Sequence, residues 1–147
     1  MEASEIMGDT SKIPGIDLLN GSTLAYVGDA VYELAVRKHV LSKGITQVNH
    51  LHRAAVSYVG AIGQAKVMLH WIKQDDFLTA QEITMYKRGR NHKANTKAKN
   101  ASIGDYRQAT GFESLLGWLA LTEQTERLDQ LINEAITMID EGEQVNE

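Results

Sequence analysis

Proline occurs once in this 147-residue chain, at Pro14, and beyond it apolar residues recur at intervals of three and four. That pairing constrains the fold more than any other feature. Proline removes a backbone donor and clashes with the preceding turn, so its absence leaves long helices unbroken. Apolar spacing of three and four marks one face of a helix. From Ser22, the residues Leu24, Val27, Val31, Leu34 and Ala35 follow this spacing, with Asn20 or Ser22 as the cap and Gly44 after the end. Asn49 is expected to cap a second helix running to about Ile72, with Leu51, Ala54, Ala55, Val59, Ile62, Val67 and Trp71 apolar and Gly60 and Gly63 inside it. Thr79-Ala80-Gln81-Glu82 has capping-box spacing and opens a third helix. Tyr86 to Asn100 reads as a loop, with at most a frayed helix at its start. A fourth helix is expected from about Asp105 and a fifth from Thr125 to Glu141, stopped by Gly142. No segment alternates with a period of two. The expected fold class is an all-α helical bundle, one domain over residues 18–142, with a flexible lead-in at 1–17 and a tail at 143–147.

Composition excludes several classes of chemistry. Cysteine is absent, which removes disulfides, thiolate metal sites and cysteine nucleophiles. No run of 18 apolar residues is present for a membrane span. The start, Met1-Glu2-Ala3-Ser4-Glu5, is acidic and lacks the apolar run of a secretory signal, so the expected location is the cytoplasm. The histidines are scattered without metal-ligand spacing, and no serine lies in a nucleophile elbow.

Charge is distributed unevenly. Residues 86–100 hold six of the fifteen Lys and Arg and no acid, while the remaining nine bases face all nineteen acids elsewhere. A basic island on an acidic protein suggests a local anion site, or else a solvated loop balancing the acidic C-terminal helix. The island has no aromatic except Tyr86 at its edge, so contact with a duplex backbone fits better than stacking on unpaired bases.

Two carboxylates are unusual for their surroundings. Asp29 lies in Leu24-Ala25-Tyr26-Val27-Gly28-Asp29-Ala30-Val31-Tyr32-Glu33, and Glu113 in Gly111-Phe112-Glu113-Ser114-Leu115-Leu116-Gly117-Trp118. Both stretches are mainly apolar or small. A buried carboxylate needs a partner or a cation. The alternatives are a solvated helix face for Asp29 and Glu33, or convergence of Asp29 and Glu113 on Mg²⁺, which is often bound by one or two carboxylates and several waters.

These same residues resemble the ribonuclease III catalytic domain. Tyr26-Val27-Gly28-Asp29-Ala30-Val31-Tyr32-Glu33 is similar to its signature helix, approximately NERLEFLGDAVLE, and Phe112-Glu113-Ser114-Leu115-Leu116-Gly117 to its second motif, approximately DTVEALIGA. The likeness runs from about Asn20 to Ile139, leaving no length for the double-stranded-RNA-binding domain of ordinary members, as in the short bacterial Mini-III group. It implies Asp29 and Glu113 as catalytic, metal-binding residues for Mg²⁺, with Mn²⁺ as a substitute. It implies Arg88, Arg90, Lys93, Lys97 and Lys99 as RNA-binding residues, and a homodimer in which Tyr26 enters the partner subunit. The implied activity is an endoribonuclease that cuts double-stranded RNA, leaving 5′-phosphate and 3′-hydroxyl ends. The implied substrate is precursor 23S ribosomal RNA, with a large-subunit ribosomal protein as a further partner. Three other acidic positions of the family are occupied here by Ser22, Ala25 and Thr110. Those departures keep open a non-catalytic RNA- or ribosome-binding module of the same fold. A metal-dependent nucleotide pyrophosphohydrolase is a further alternative, which Asp29 and Glu33 alone would have to serve.

Overall fold

The first helix begins where Asn20 turns the chain, its side chain accepting the Thr23 amide at 2.8 Å. A computed structural model describes residues 10–92 and 101–145, with side chains described as far as Gly142. Within these residues the elements are a 3₁₀ turn (Ile16–Leu18) and six helices: α1 (Gly21–Ser42), α2 (Val48–Val59), α3 (Ala61–Lys73), α4 (Ala80–Arg90), α5 (Ile103–Leu121) and α6 (Thr125–Val145). No strand occurs among the described residues, and the fold is all-α.

Helix α5 is the axis of the bundle. Eight successive residues, Ser114 to Leu121, are buried, so it has no wet face along its second half. Helices α1, α3 and α4 pack around it, and α6 closes the far end. Phe112 on α5 stands edge-on to Tyr32 of α1 at 4.9 Å and stacks on Trp71 of α3 at 5.5 Å. Leu24, Val36, Val67, Met68, Leu115, Leu116, Leu119 and Leu131 complete the core with almost no exposed surface.

Two polar clasps hold α6. Glu82, the N3 residue of the Thr79 capping box, is 2% exposed. Its carboxylate accepts from Arg127 Nε and Nη2, each at 2.8 Å, while Nη2 also donates to the Phe77 carbonyl at 2.6 Å. Burial pushes the Glu82 carboxyl up, but Arg127 and the Thr79 donors outweigh it and hold the group below its ordinary range. At the other end Asp140 accepts from the Tyr58 hydroxyl and from Lys43 Nζ at 3.0 Å, and pairs with His39 at 2.8 Å, joining α1, α2 and α6.

The structure departs from the sequence expectations at four places. The expected single helix from Asn49 to Ile72 is two helices, broken at Gly60, whose extended backbone (φ −68°, ψ 157°) ends α2 and starts α3. Asn49 is not its cap, a position held by Gln47 without a side-chain bond. The start of the basic segment is helix, since α4 runs to Arg90. Gly89 serves contact there, as a Cβ on it would meet the Thr110 carbonyl oxygen at 2.6 Å and Ser114 Cβ at 2.5 Å. Gly142 does not stop α6, which continues to Val145. Finally, residues 10–17 of the expected lead-in make contacts with the bundle, Thr10 Oγ1 donating to Glu123 Oε1 at 3.2 Å, while residues 1–9 lie outside the described residues. Arg88 Nη1 donates to the carbonyls of Asp17 and Leu19 at 2.6 and 3.0 Å, and Trp118 Nε1 donates to Asp17 Oδ1 at 3.0 Å.

Candidate functional site

The site begins with the crossing of α1 and α5. A Cβ on Gly28 would lie 1.8 Å from the Glu113 carbonyl oxygen, and a Cβ on Gly117 would lie 1.8 Å from the Leu24 carbonyl oxygen. Only two glycines facing one another permit backbones this close. Asp29 follows Gly28 on one helix, and Glu113 lies one turn before Gly117 on the other. The crossing therefore brings their carboxyl groups within hydrogen-bonding reach.

The pair is asymmetric. Asp29 is exposed and Glu113 is half-buried. Burial, then the like charge and contact of Asp29, push the Glu113 carboxyl up to about 8. Glu33, one turn after Asp29, adds a further like charge, and its own carboxylate is paired with Arg37 at 3.0 Å. Gln64 of α3 supplies a neutral contact, its Nε2 donating to Glu113 Oε2 at 3.3 Å. Among the described residues no cluster of three or more His, Asp or Glu forms a metal site. Two neighbouring carboxylates, with no cation among the described groups that act on Glu113, nonetheless suit a divalent cation that keeps most of its waters, as Mg²⁺ does. The three positions where the family carries further acids hold an exposed Ser22, a buried Ala25 and a half-buried Thr110 whose hydroxyl bonds the Tyr106 carbonyl.

The other expected residues separate into groups. Tyr26, three residues before Asp29 on α1, is 82% exposed. Arg90 lies over the Tyr86 ring at 5.3 Å and donates to Asn91 Oδ1 at 3.1 Å. Arg88, expected with it to hold RNA, has its Nη1 committed to the lead-in carbonyls instead. Lys93, Lys97 and Lys99 lie outside the described residues. Sequence reading passed over Gln64, which lies in Ile62-Gly63-Gln64-Ala65-Lys66-Val67-Met68. With Lys66 two residues on, the stretch does not single it out, and its burial among Ala65, Val67 and Met68 is a tertiary fact.

Known proteins resemble this chain over most of its length. Residues 22–124 match the ribonuclease III domain family. The chain is 53% identical over 123 residues to the Mini-ribonuclease 3 of Enterococcus faecalis, covering 84% of this chain and 92% of that one. It is 43% identical over 125 residues to the Mini-ribonuclease 3 of Streptococcus pneumoniae, covering 85% and 97% of the two chains. A crystal structure of a protein from Fusobacterium nucleatum superposes with a TM-score of 0.73 at 28% identity, covering 83% of this chain and 95% of that one. The chain belongs to the ribonuclease III family, within its Mini-ribonuclease 3 group.

Proposed function

We propose that this chain is a divalent-cation-dependent endoribonuclease that cuts double-stranded RNA as a homodimer and matures the ends of precursor 23S ribosomal RNA in the cytoplasm. The observation that carries the reading is the Asp29–Glu113 pair at the glycine crossing. Family membership supports the ribonuclease activity, and the relatives' name specifies the group.

Asp29 and Glu113 would hold Mg²⁺, or Mn²⁺ in its place. A cation bound there supplies charge stabilisation at the scissile phosphate and a water of lowered pKa. The chain's own part follows from the asymmetry of the pair. Glu113 anchors from the half-buried side, and Asp29 offers its oxygens on the open side where a phosphodiester approaches. Arg90 and the lysines at 93, 97 and 99 hold the duplex backbone, and Arg88 supports them by fastening the lead-in to α4. The products are 5′-phosphate and 3′-hydroxyl ends. Tyr26, exposed beside Asp29, is the contact to a second subunit, which would set two sites along one duplex, one per strand. A large-subunit ribosomal protein is a further partner that could present the precursor.

The test is cleavage of an RNA duplex in Mg²⁺ by the parent, Asp29→Asn and Glu113→Gln. The expected result is cutting by the parent alone, and loss of cutting when Mg²⁺ is chelated. Equal cutting by all three proteins, or by none, overturns the reading.

A further inference from the structure

Gln64 is a glutamine where bulk alone would call for a hydrocarbon. It lies on α3 between Gly63 and Ala65, is 2% exposed, and is enclosed by the same core as Val67 and Met68. Its Nε2 donates to two acceptors, the Val59 carbonyl at 3.1 Å and Glu113 Oε2 at 3.3 Å. Its Oε1 is buried and has no partner among the described residues. Burying a carbonyl oxygen without a donor is a cost that methionine or leucine in the same space would avoid. The polar group is therefore explained by what Nε2 does.

Both protons of that amide are directed. One reaches back to the last residue of α2, just before the Gly60 break that separates α2 from α3. The other reaches forward to Glu113. The amide is clamped from behind by backbone and from the front grips one carboxylate oxygen of the pair. Its neutrality matters as much as its position. A lysine or arginine there would cancel part of the negative charge that draws a cation, and a carboxylate would add to the repulsion between Asp29 and Glu113. A carboxamide fixes the oxygen and leaves the pair's charge unspent.

We propose that Gln64 is a positioning residue of the nuclease site, orienting the Glu113 carboxylate toward Asp29 so that the two can share one divalent cation. The inference rests on the Asp29–Glu113 reading above. It also assigns a purpose to the α2–α3 break, which supplies the carbonyl that locks the amide.

The test is Gln64→Met, which keeps the length of the side chain and removes both amide protons. Calorimetric titration of the metal-free protein with MnCl₂ alone, without RNA, is expected to show affinity weakened roughly 10–100-fold, as for other partners that orient metal ligands. At fixed Mg²⁺, kcat on an RNA duplex should fall while KM for the duplex stays unchanged. Parent-like Mn²⁺ affinity together with parent-like kcat overturns the inference. Should Gln64→Met not fold, as judged by circular dichroism, Gln64→Leu is titrated with the same expectation. Failure of both to fold overturns the inference in favour of a core role. Asp29→Asn is run alongside. If it still cuts, the nuclease-site reading fails whatever Gln64 does. If it is inactive while Gln64→Met behaves as the parent, only the positioning role fails.

Discussion

Glu113 lies where burial and a like charge act in the same direction, and both favour its protonated form. Its folded-state value of about 8 stands above the ordinary 4.5, so between these two pH values the native state holds a proton that the unfolded chain has released. Stability conferred by that proton is lost as pH rises through this window. In metal-free buffer, the melting temperature of the parent should therefore decline from pH 4.5 to pH 9 relative to that of Glu113→Gln. The two should be nearly equal at the acid end, and the variant higher by several degrees at the alkaline end. Parallel curves in differential scanning calorimetry would refute this account of the site. Asp29 and Glu113 were legible in the sequence as candidates because each is an acid set in a mainly apolar or small stretch. Their meeting was not, since 84 positions separate them and only the crossing of two helices decides it.

Helices in this protein are placed by what they lack as much as by what they carry. Gly28 and Gly117 let α1 and α5 touch backbone to backbone, and neither neighbour is a flexible side chain able to give way. Gly28→Ala is expected to force the helices apart by an ångström or more. A misplacement of that size at a reacting centre costs about 100-fold in rate. Duplex cleavage should fall by at least that factor and the thermal midpoint should drop, both checked against the parent. A second element-level prediction concerns the clasp between α4 and α6. Arg127→Met leaves Glu82 buried without its cation, a change that costs ~3–5 kcal/mol, or on the order of 10 °C in a domain of this size. Thermal denaturation measures it, and a loss of only a degree or two would show that the clasp is dispensable. The Thr79 box that positions Glu82 was readable as spacing, whereas its bond to Arg127, 45 residues away, was not. Gly89 lies in the segment that sequence reading took as a loop, because a glycine that belongs to a loop and one that admits a neighbouring helix look the same in one dimension.

At the scale of the molecule, an acidic chain with one basic segment offers a polyanion one region of matching charge. Alanine at Arg90 and Lys93 is expected to reduce the slope of log affinity against log salt for an RNA duplex by roughly one unit per lost phosphate contact. An unchanged slope would remove these residues from the interface. Tyr26 is 82% exposed three residues from Asp29, a large apolar surface at the edge of the site. Tyr26→Ala should shift the protein toward monomer in sedimentation velocity without changing its circular dichroism, and a parent-like sedimentation profile would dismiss this residue as a subunit contact.

Sequence alone determined the helical class and most of the helix starts, and it singled out the two acids as candidates, because periodicity, capping and an acid's setting among apolar residues are local properties of a chain. Tertiary structure alone decided the break at Gly60, the tethering of the lead-in by Arg88, the clasp of Arg127 on Glu82 and the contact of Gln64 with Glu113. Each of these depends on groups distant in sequence, or on a backbone carbonyl left free by a local break. Contacts of that kind exist only once the helices have taken their places around α5.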